Sequence, residues 1–314
     1  MTRVDLITGF LGAGKTTFIH RYLAHLNRAD QKIIIIENEF GSVGVDKTLL
    51  RDEDCQIEDL SGVCMCCTGR DKFIGMLIDA AAQGCDRVLV EPSGIYDVDE
   101  FFNVMEEKAV RECCEIGSVL TIVDAQGHGD LSGESRYLMV SQLLAAGEVI
   151  LSKTQLCEPE AAVETVRWMN ELVREQGGDR VFGEDVCVKD WDDLTDDDYR
   201  RFQTCGYARG KHAHMTMNHG EVYGAFMTAD YCLNEDDLRA RLNGILSDER
   251  YGRVIRAKGY VRDYDMNWYE VNCTRTELSV RPVENLRRGV LVVIGQGLDD
   301  EALKGALLPR PVRQ

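Results

Sequence analysis

No apolar run in the sequence approaches the roughly 20 residues a membrane-spanning helix needs. Positive charge is also scarce: 36 lysines and arginines stand against 54 aspartates and glutamates, leaving a formal net charge of -18. That deficit argues against sequence-independent nucleic-acid binding, which needs a cationic face, and against docking to anionic lipid. The chain opens on a strand and a glycine-rich turn, with no secretory apolar region, so a cytoplasmic location is expected. Internal repeats and low-complexity tracts are absent. So is a second cysteine pair near the one tight cysteine cluster, which disfavours a closed four-ligand zinc staple. What remains is a 314-residue chain, 44% hydrophobic, long enough for two domains with their own cores. Its 12 cysteines read as thiols in a reducing compartment, most of them small buried hydrophobes.

The first half alternates strand-like and helix-like stretches. Val4 to Ile7, Lys32 to Ile36, Arg87 to Val90, Val119 to Val123 and Glu148 to Leu151 are short apolar runs, as in strands covered on both faces. Helical patterns occupy Thr17 to Leu26, Lys72 to Ala82 and the stretch from Glu158 to about Glu175. This alternation predicts an α/β fold with a mostly parallel sheet flanked by helices, and ligands beyond the carboxyl ends of the strands. The acidic stretch Gly183 to Tyr199 reads as a surface connection or short helix. Domain limits of 1–190 and 211–314, joined by an acidic connection at 191–210, follow. The second domain is expected to be a small α+β unit. Its strands are placed at Ala213 to Met217, Glu221 to Met227, Val254 to Tyr260, Trp268 to Cys273 and Val290 to Ile294, with helices from Asn234 to Ser247 and Asp299 to Leu307.

Gly9 to Thr16 fits G-x-x-x-x-G-K-[ST] between a strand and a helix, the context of a phosphate-binding loop. Gly9, Gly12, Ala13 and Gly14 would present backbone N–H groups to anionic oxygens, and the helix from Thr17 adds its positive end. Lys15 is expected on the β- and γ-phosphates, and Thr16 on Mg²⁺. Glu37-Asn38-Glu39-Phe40-Gly41, followed by Gly44-Val45-Asp46, reads either as a nucleotide-sensing switch or as a solvated loop. Cys64-Met65-Cys66-Cys67 sets three thiols within four residues, suited to Zn²⁺, Co²⁺ or Ni²⁺. An incomplete, loop-borne site suits binding and release. Cys113-Cys114, taken as helical, would diverge and is read as core or surface. Glu91-Pro92-Ser93-Gly94 ends a strand: Glu91 can hold the Mg²⁺ shell and the Gly94 N–H can meet a γ-phosphate. Ser152-Lys153-Thr154-Gln155 suits base recognition, with the Lys153 stem over a purine and Gln155 at its edge. His212 and His214 would share one strand face and are read as ordinary strand histidines rather than an auxiliary metal site.

Together these residues resemble the CobW/HypB/UreG class of P-loop GTPases, closest to its CobW metallochaperone branch. G-F-L-G-A-G-K-T-T, E-N-E-F-G, C-M-C-C, E-P-S-G and V-D-A at Val123 to Ala125 occur in the expected order. R-A-K-G-Y at Arg256 to Tyr260, a following tryptophan, and V-V-I-G at Val292 to Gly295 resemble the CobW C-terminal domain. The resemblance covers nearly the whole chain. It implies GTP binding, slow Mg²⁺-dependent hydrolysis, and Zn²⁺ or Co²⁺ at Cys64, Cys66 and Cys67. It also implies that Glu37 neighbours the transition metal and that Asp46 lies near Mg²⁺. Two departures matter. S-K-T-Q replaces the guanine motif N-K-x-D, and Gln155 offers one neutral acceptor and one donor group that can pair with guanine or adenine. Val63 lengthens the loop between Gly62 and the first cysteine.

The expected function is a nucleotide-gated metallochaperone GTPase serving a client metalloprotein or a cobalamin-related pathway, with a nucleotide-dependent homodimer as one assembly. Lys15, Thr16 and Glu91 are its candidate catalytic residues. Two other readings stay open: a GTPase that loads a cofactor into an enzyme using structural cysteines, and a small-molecule kinase on the same scaffold.

Overall fold

A computed structural model describes residues 1–27, 31–38, 56–60, 69–126, 131–210, 222–229, 232–284 and 289–307. The chain divides into two compact units, Met1–Thr216 and Met217–Gln314.

The first unit is built on seven strands: β1 (Thr2–Thr8), β2 (Ile33–Glu37), β3 (Gln56–Asp59), β4 (Arg87–Glu91), β5 (Cys114–Asp124), β6 (Glu148–Ser152) and β7 (Val186–Cys187). They pair in the order β3-β2-β4-β1-β5-β6-β7, every pair parallel. Its helices are α1 (Lys15–Asn27), α2 (Arg70–Ala82), α3 (Val98–Met105), α4 (Lys108–Arg111), α5 (Gly133–Ala145), α6 (Pro159–Glu175) and α7 (Asp196–Thr204). The unbroken apolar runs are explained by two separate cores. Val4, Ile34, Ile36, Val88 and Val90 pack with Phe73, Leu77 and Phe101 of α2 and α3. Their alternate neighbours Ile7, Ile33, Ile35 and Leu89 pack with Phe18 and Tyr22 of α1 and Phe202 of α7. This is the expected helix-flanked parallel sheet of the P-loop NTPase fold.

Strand β1 carries a buried carboxyl group. Asp5 is fully buried in β1. It pairs with Arg87, accepts from Tyr22 Oη at 3.0 Å, and takes the Ser118 N–H at 2.9 Å. The last bond coincides with a register shift between β1 and β5 at Val4/Leu6. Burial pushes the Asp5 carboxyl up, opposed by the Arg87 charge.

Three sequence readings change here. Cys113 and Cys114 do not share a helix: Cys114 opens β5, and the two sulfurs lie 3.8 Å apart. Burial pushes the Cys114 thiol up to about 12. Of the two readings of the acidic stretch, surface connection or short helix, the helix is what forms, as α7, and its packing is what the sequence did not show. Trp191, Leu194, Tyr199 and Phe202 pack with the α1 core, so this acidic segment belongs by packing to the first unit. Finally β3, β7, α3, α4 and α5 were not expected from the pattern.

The second unit holds β8 (Gly224–Ala229), α8 (Glu235–Ser247), β9 (Arg253–Arg262), β10 (Trp268–Thr274), β11 (Leu278–Val283), β12 (Val290–Gln296) and α9 (Asp300–Leu307). The strands form an antiparallel sheet in the order β11-β10-β9-β12-β8. Asn234 caps α8 by accepting the Asp237 N–H at 2.8 Å. Leu238, Leu242 and Leu303 of the helices share a core with Val254, Val271 and Val293. Among the described residues, no helix is long and apolar enough to cross a membrane.

Candidate functional site

The glycine-rich loop leaves β1 with φ of +143° at Gly9, +79° at Gly12 and +97° at Gly14, values that suit glycine. A Cβ on Gly9 would also lie 2.3 Å from the Ile122 carbonyl oxygen of β5. The Ala13 N–H closes the turn on Phe10 O at 3.2 Å, and α1 begins at Lys15. The Lys15 ammonium is buried and donates to Gly9 O at 2.9 Å and Phe10 O at 3.4 Å. The Thr16 hydroxyl donates to Glu91 Oε1 at 2.8 Å, tying the start of α1 to the end of β4. Three residues on, Gly94 sits on the same loop. A Cβ there would stand 2.5 Å from Leu11 N and 2.7 Å from Phe10 C, so only glycine allows this approach.

On the other side of β4 the strand ends continue the site. Glu37 lies opposite Glu91 in the β2–β4 register and opposite Asp59 on β3. Both glutamates are buried, and adjacent strands run roughly 4.8 Å apart. Buried neighbouring carboxylates beside a threonine hydroxyl are the oxygen-donor chemistry of a hard cation. Main-chain bonds stitch the ends together: Asn38 N–H to Glu91 O at 2.8 Å and Leu60 N–H to Glu37 O at 2.9 Å. The Asn38 carboxamide adds a bond to Leu60 O at 3.1 Å.

The β6 end lies on the opposite flank. Lys153 takes φ of +59°, a left-handed conformation uncommon outside glycine. Its ammonium meets Asp124 Oδ2 at 2.7 Å. Ser152 is buried and donates to Val123 O at 3.3 Å. Gln155 is exposed and borders a cavity with Ala125, Thr154, Val188 and Asp190. Burial and the Asp124 charge push the nearby Cys157 thiol up. The Trp191 indole donates to Leu151 O at 2.8 Å, and its ring lies 3.4 Å from where a Gly14 Cβ would stand.

The family described as CobW/HypB/UreG, nucleotide-binding domain, matches residues 3–177, more than half of the chain. The chain belongs to that family. Residues 224–308 match the cobalamin synthesis protein cobW C-terminal domain. Similar proteins include the zinc chaperone YeiR of Escherichia coli (strain K12), 33% identical over 181 residues, which are 57% of this chain and 54% of the relative. The zinc-regulated GTPase metalloprotein activator 1 of Saccharomyces cerevisiae is 29% identical over 197 residues, 55% of this chain and 45% of the relative. The chain thus spans about half the length of these relatives. Among solved structures, the Zn(II)-bound YjiA GTPase from E. coli aligns over 97% of both chains at 21% identity, with a TM-score of 0.39.

In this CobW-family chain the structure gathers Gly9, Gly12, Ala13, Gly14, Lys15, Thr16, Glu91 and Gly94 around one loop, with Glu37 on the next strand end and Ser152 and Lys153 beyond β5. Thr17 is exposed on the first turn of α1. Asp46, Cys64, Cys66 and Cys67 lie outside the described residues, as do His212 and His214. Asn38, Asp124 and Trp191 were missed as contributors. Asn38 and Asp124 sit inside motifs already quoted, polar residues directly after buried runs. Trp191 carries no local signal, because its contacts are with residues distant in sequence.

Proposed function

We propose that this chain is a nucleotide-gated metal carrier. It binds GTP at the Gly9–Thr16 loop, hydrolyses it, and uses the nucleotide state to set the affinity of Cys64, Cys66 and Cys67 for Zn²⁺. The observation that carries the reading is the strand order. The phosphate loop, Glu91, Glu37 and the lead-in to the cysteines follow the successive ends of β1, β4, β2 and β3. Leu60 is bonded to both Glu37 and Asn38, and Cys64 follows on a tether of at most about 14 Å.

The residues fit the ligands they are assigned. Gly9 lets the loop pass close to the Ile122 carbonyl of β5, and Gly94 lets its turn press against Phe10 and Leu11 of the loop, so both backbones reach positions no other residue allows. Lys15 is held over the loop by carbonyls that phosphate oxygens can replace. Thr16 and Glu91 would hold Mg²⁺, which when bound supplies charge neutralisation across the β- and γ-oxygens. Lys15 and the Gly94 N–H stabilise charge developing on the phosphoryl group. Engaging Thr16 elsewhere loosens its bond to Glu91, whose carbonyl holds Asn38, and so the lead-in to the cysteines shifts with nucleotide state. Three thiolates within four residues suit a soft cargo ion, and binding releases their protons. Zinc chaperones among the relatives support Zn²⁺ as that cargo; Co²⁺ is the chemical alternative, and the cobalamin link rests on resemblance alone. The client is a metal-requiring protein.

Cys66→Ser tests the assignment. The expected result is loss of Zn²⁺ transfer to a chelating acceptor with GTP hydrolysis intact. Transfer at the original rate would return the cysteines to a structural role, and a phosphorylated small-molecule acceptor in place of free phosphate would indicate a kinase.

A further inference from the structure

Helix α5 carries no motif, yet it grips the turn that holds Gly94. Ser93 O accepts the Tyr96 N–H at 3.0 Å, closing a turn around Gly94 and Ile95. The Gln142 carboxamide donates to Gly94 O and to Tyr96 O, both at 3.2 Å. Beside it, Ser141 Oγ donates to Asp97 Oδ1 at 2.9 Å and Tyr137 Oη to Asp97 Oδ2 at 3.0 Å. Asp97 in turn caps α3 through the Asp99 N–H at 3.1 Å. Gln142 is fully buried, and its own carbonyl is fixed by Thr121 Oγ1 of β5 at 2.8 Å.

The orientation of the amide follows from its neighbours. Both are carbonyl oxygens, which only accept, so the NH₂ group must face them. Gln142 Oε1 is then buried with no hydrogen-bond partner among the described residues. A leucine would fill this helix position without that cost. Glutamine is explained by the turn it holds rather than by the core around it.

We infer that Gln142 is a positioning residue for nucleotide sensing: it keeps the Gly94 turn seated on Phe10 and Leu11 of the phosphate loop. The inference rests on the nucleotide-site reading above. Gln142 touches no phosphate; it acts through Gly94. GDP, lacking the γ-phosphate, does not call on Gly94, so the effect of Gln142 must appear in the difference between nucleotides.

The test compares the affinity of the full chain for a non-hydrolysable GTP analogue with that for GDP, in the natural sequence and in Gln142→Leu and Gln142→Glu. The analogue-to-GDP ratio is expected to fall about tenfold in both variants, the worth of one or two neutral hydrogen bonds, with GDP affinity unchanged. An unchanged ratio in a folded variant overturns the inference, and so does an equal loss for both nucleotides, which marks a merely structural role. A measurement on the unsubstituted protein covers the case of variants that do not fold. The Gln142 side-chain NH₂ resonances should differ between the analogue-bound and GDP-bound forms, and identical resonances overturn the inference. Should the unsubstituted protein bind neither nucleotide, the site reading itself fails; should it distinguish them while the variants keep the ratio, only the role of Gln142 fails.

Discussion

Gln155 is the residue whose chemistry departs most from what guanine recognition favours. An aspartate accepts from guanine N1 and N2 with charge-strengthened bonds, whereas a neutral carboxamide presents one acceptor and one donor group. Its exposed position beside Ala125, Val188 and Asp190 leaves room for either purine edge. Gln155→Asp is expected to raise the preference for GTP over ATP by about 10–100-fold. Competition titrations with GTP, ATP and ITP check this, and a natural chain that binds ATP more tightly than GTP would reverse the base assignment. Lys153 belongs to the same scale. Its left-handed backbone and its bond to Asp124 hold the stem in place before any ligand arrives.

Among the elements, α7 shows how an acidic stretch becomes structure. Thr195 and Asp198 form a reciprocal capping box at its start. Burial raises the Asp198 carboxyl, but the Lys189 ammonium and the Thr195 hydroxyl and N–H outweigh it and bring it to about 2. The folded value lies below the ordinary 3.8, so this stabilisation is full above about pH 4 and is lost as pH falls through about 2. Asp198→Asn is expected to cost about 1–2 kcal/mol at neutral pH. Denaturant titrations should show that difference shrinking towards pH 2; a difference independent of pH would contradict the electrostatic account. The strand ends make a second prediction. Asn38→Ala removes the bond to Leu60 O and should reduce the coupling between nucleotide and metal. Each ligand's affinity alone should change far less, and calorimetric titration of either ligand in the presence of the other measures this.

Elements legible in the sequence were those whose periodicity is local. The buried runs of β1, β2, β4 and β6 were read within one or two residues of their observed limits, β5 only over its carboxyl-terminal half, and the glycine-rich and Glu91–Gly94 motifs were read at the strand ends that place them. What escaped was set by tertiary contact. β3 has one apolar side chain, Ile57, within Q-I-E-D and exists because β2 offers it a parallel edge. β11 contains Pro282, tolerable because it is an edge strand. α5 is buried nearly all round, so its pattern has no polar face to mark it. Gln142 could not be singled out for the same reason: its meaning lies in Gly94 and Tyr96, nearly fifty residues away.

At the scale of the whole molecule, the proposed function carries one requirement: nucleotide and metal share one free energy. If nucleotide state sets metal affinity, linkage demands that metal change nucleotide affinity by the same factor. Couplings of this kind are typically about 1–3 kcal/mol, or roughly 5–150-fold. The most direct measurement is Zn²⁺ affinity of the reduced chain by chelator competition, with and without a non-hydrolysable GTP analogue and Mg²⁺, paired with analogue affinity with and without Zn²⁺. The account predicts that both affinities shift by one common factor well above unity. Two tight affinities that ignore each other would contradict it.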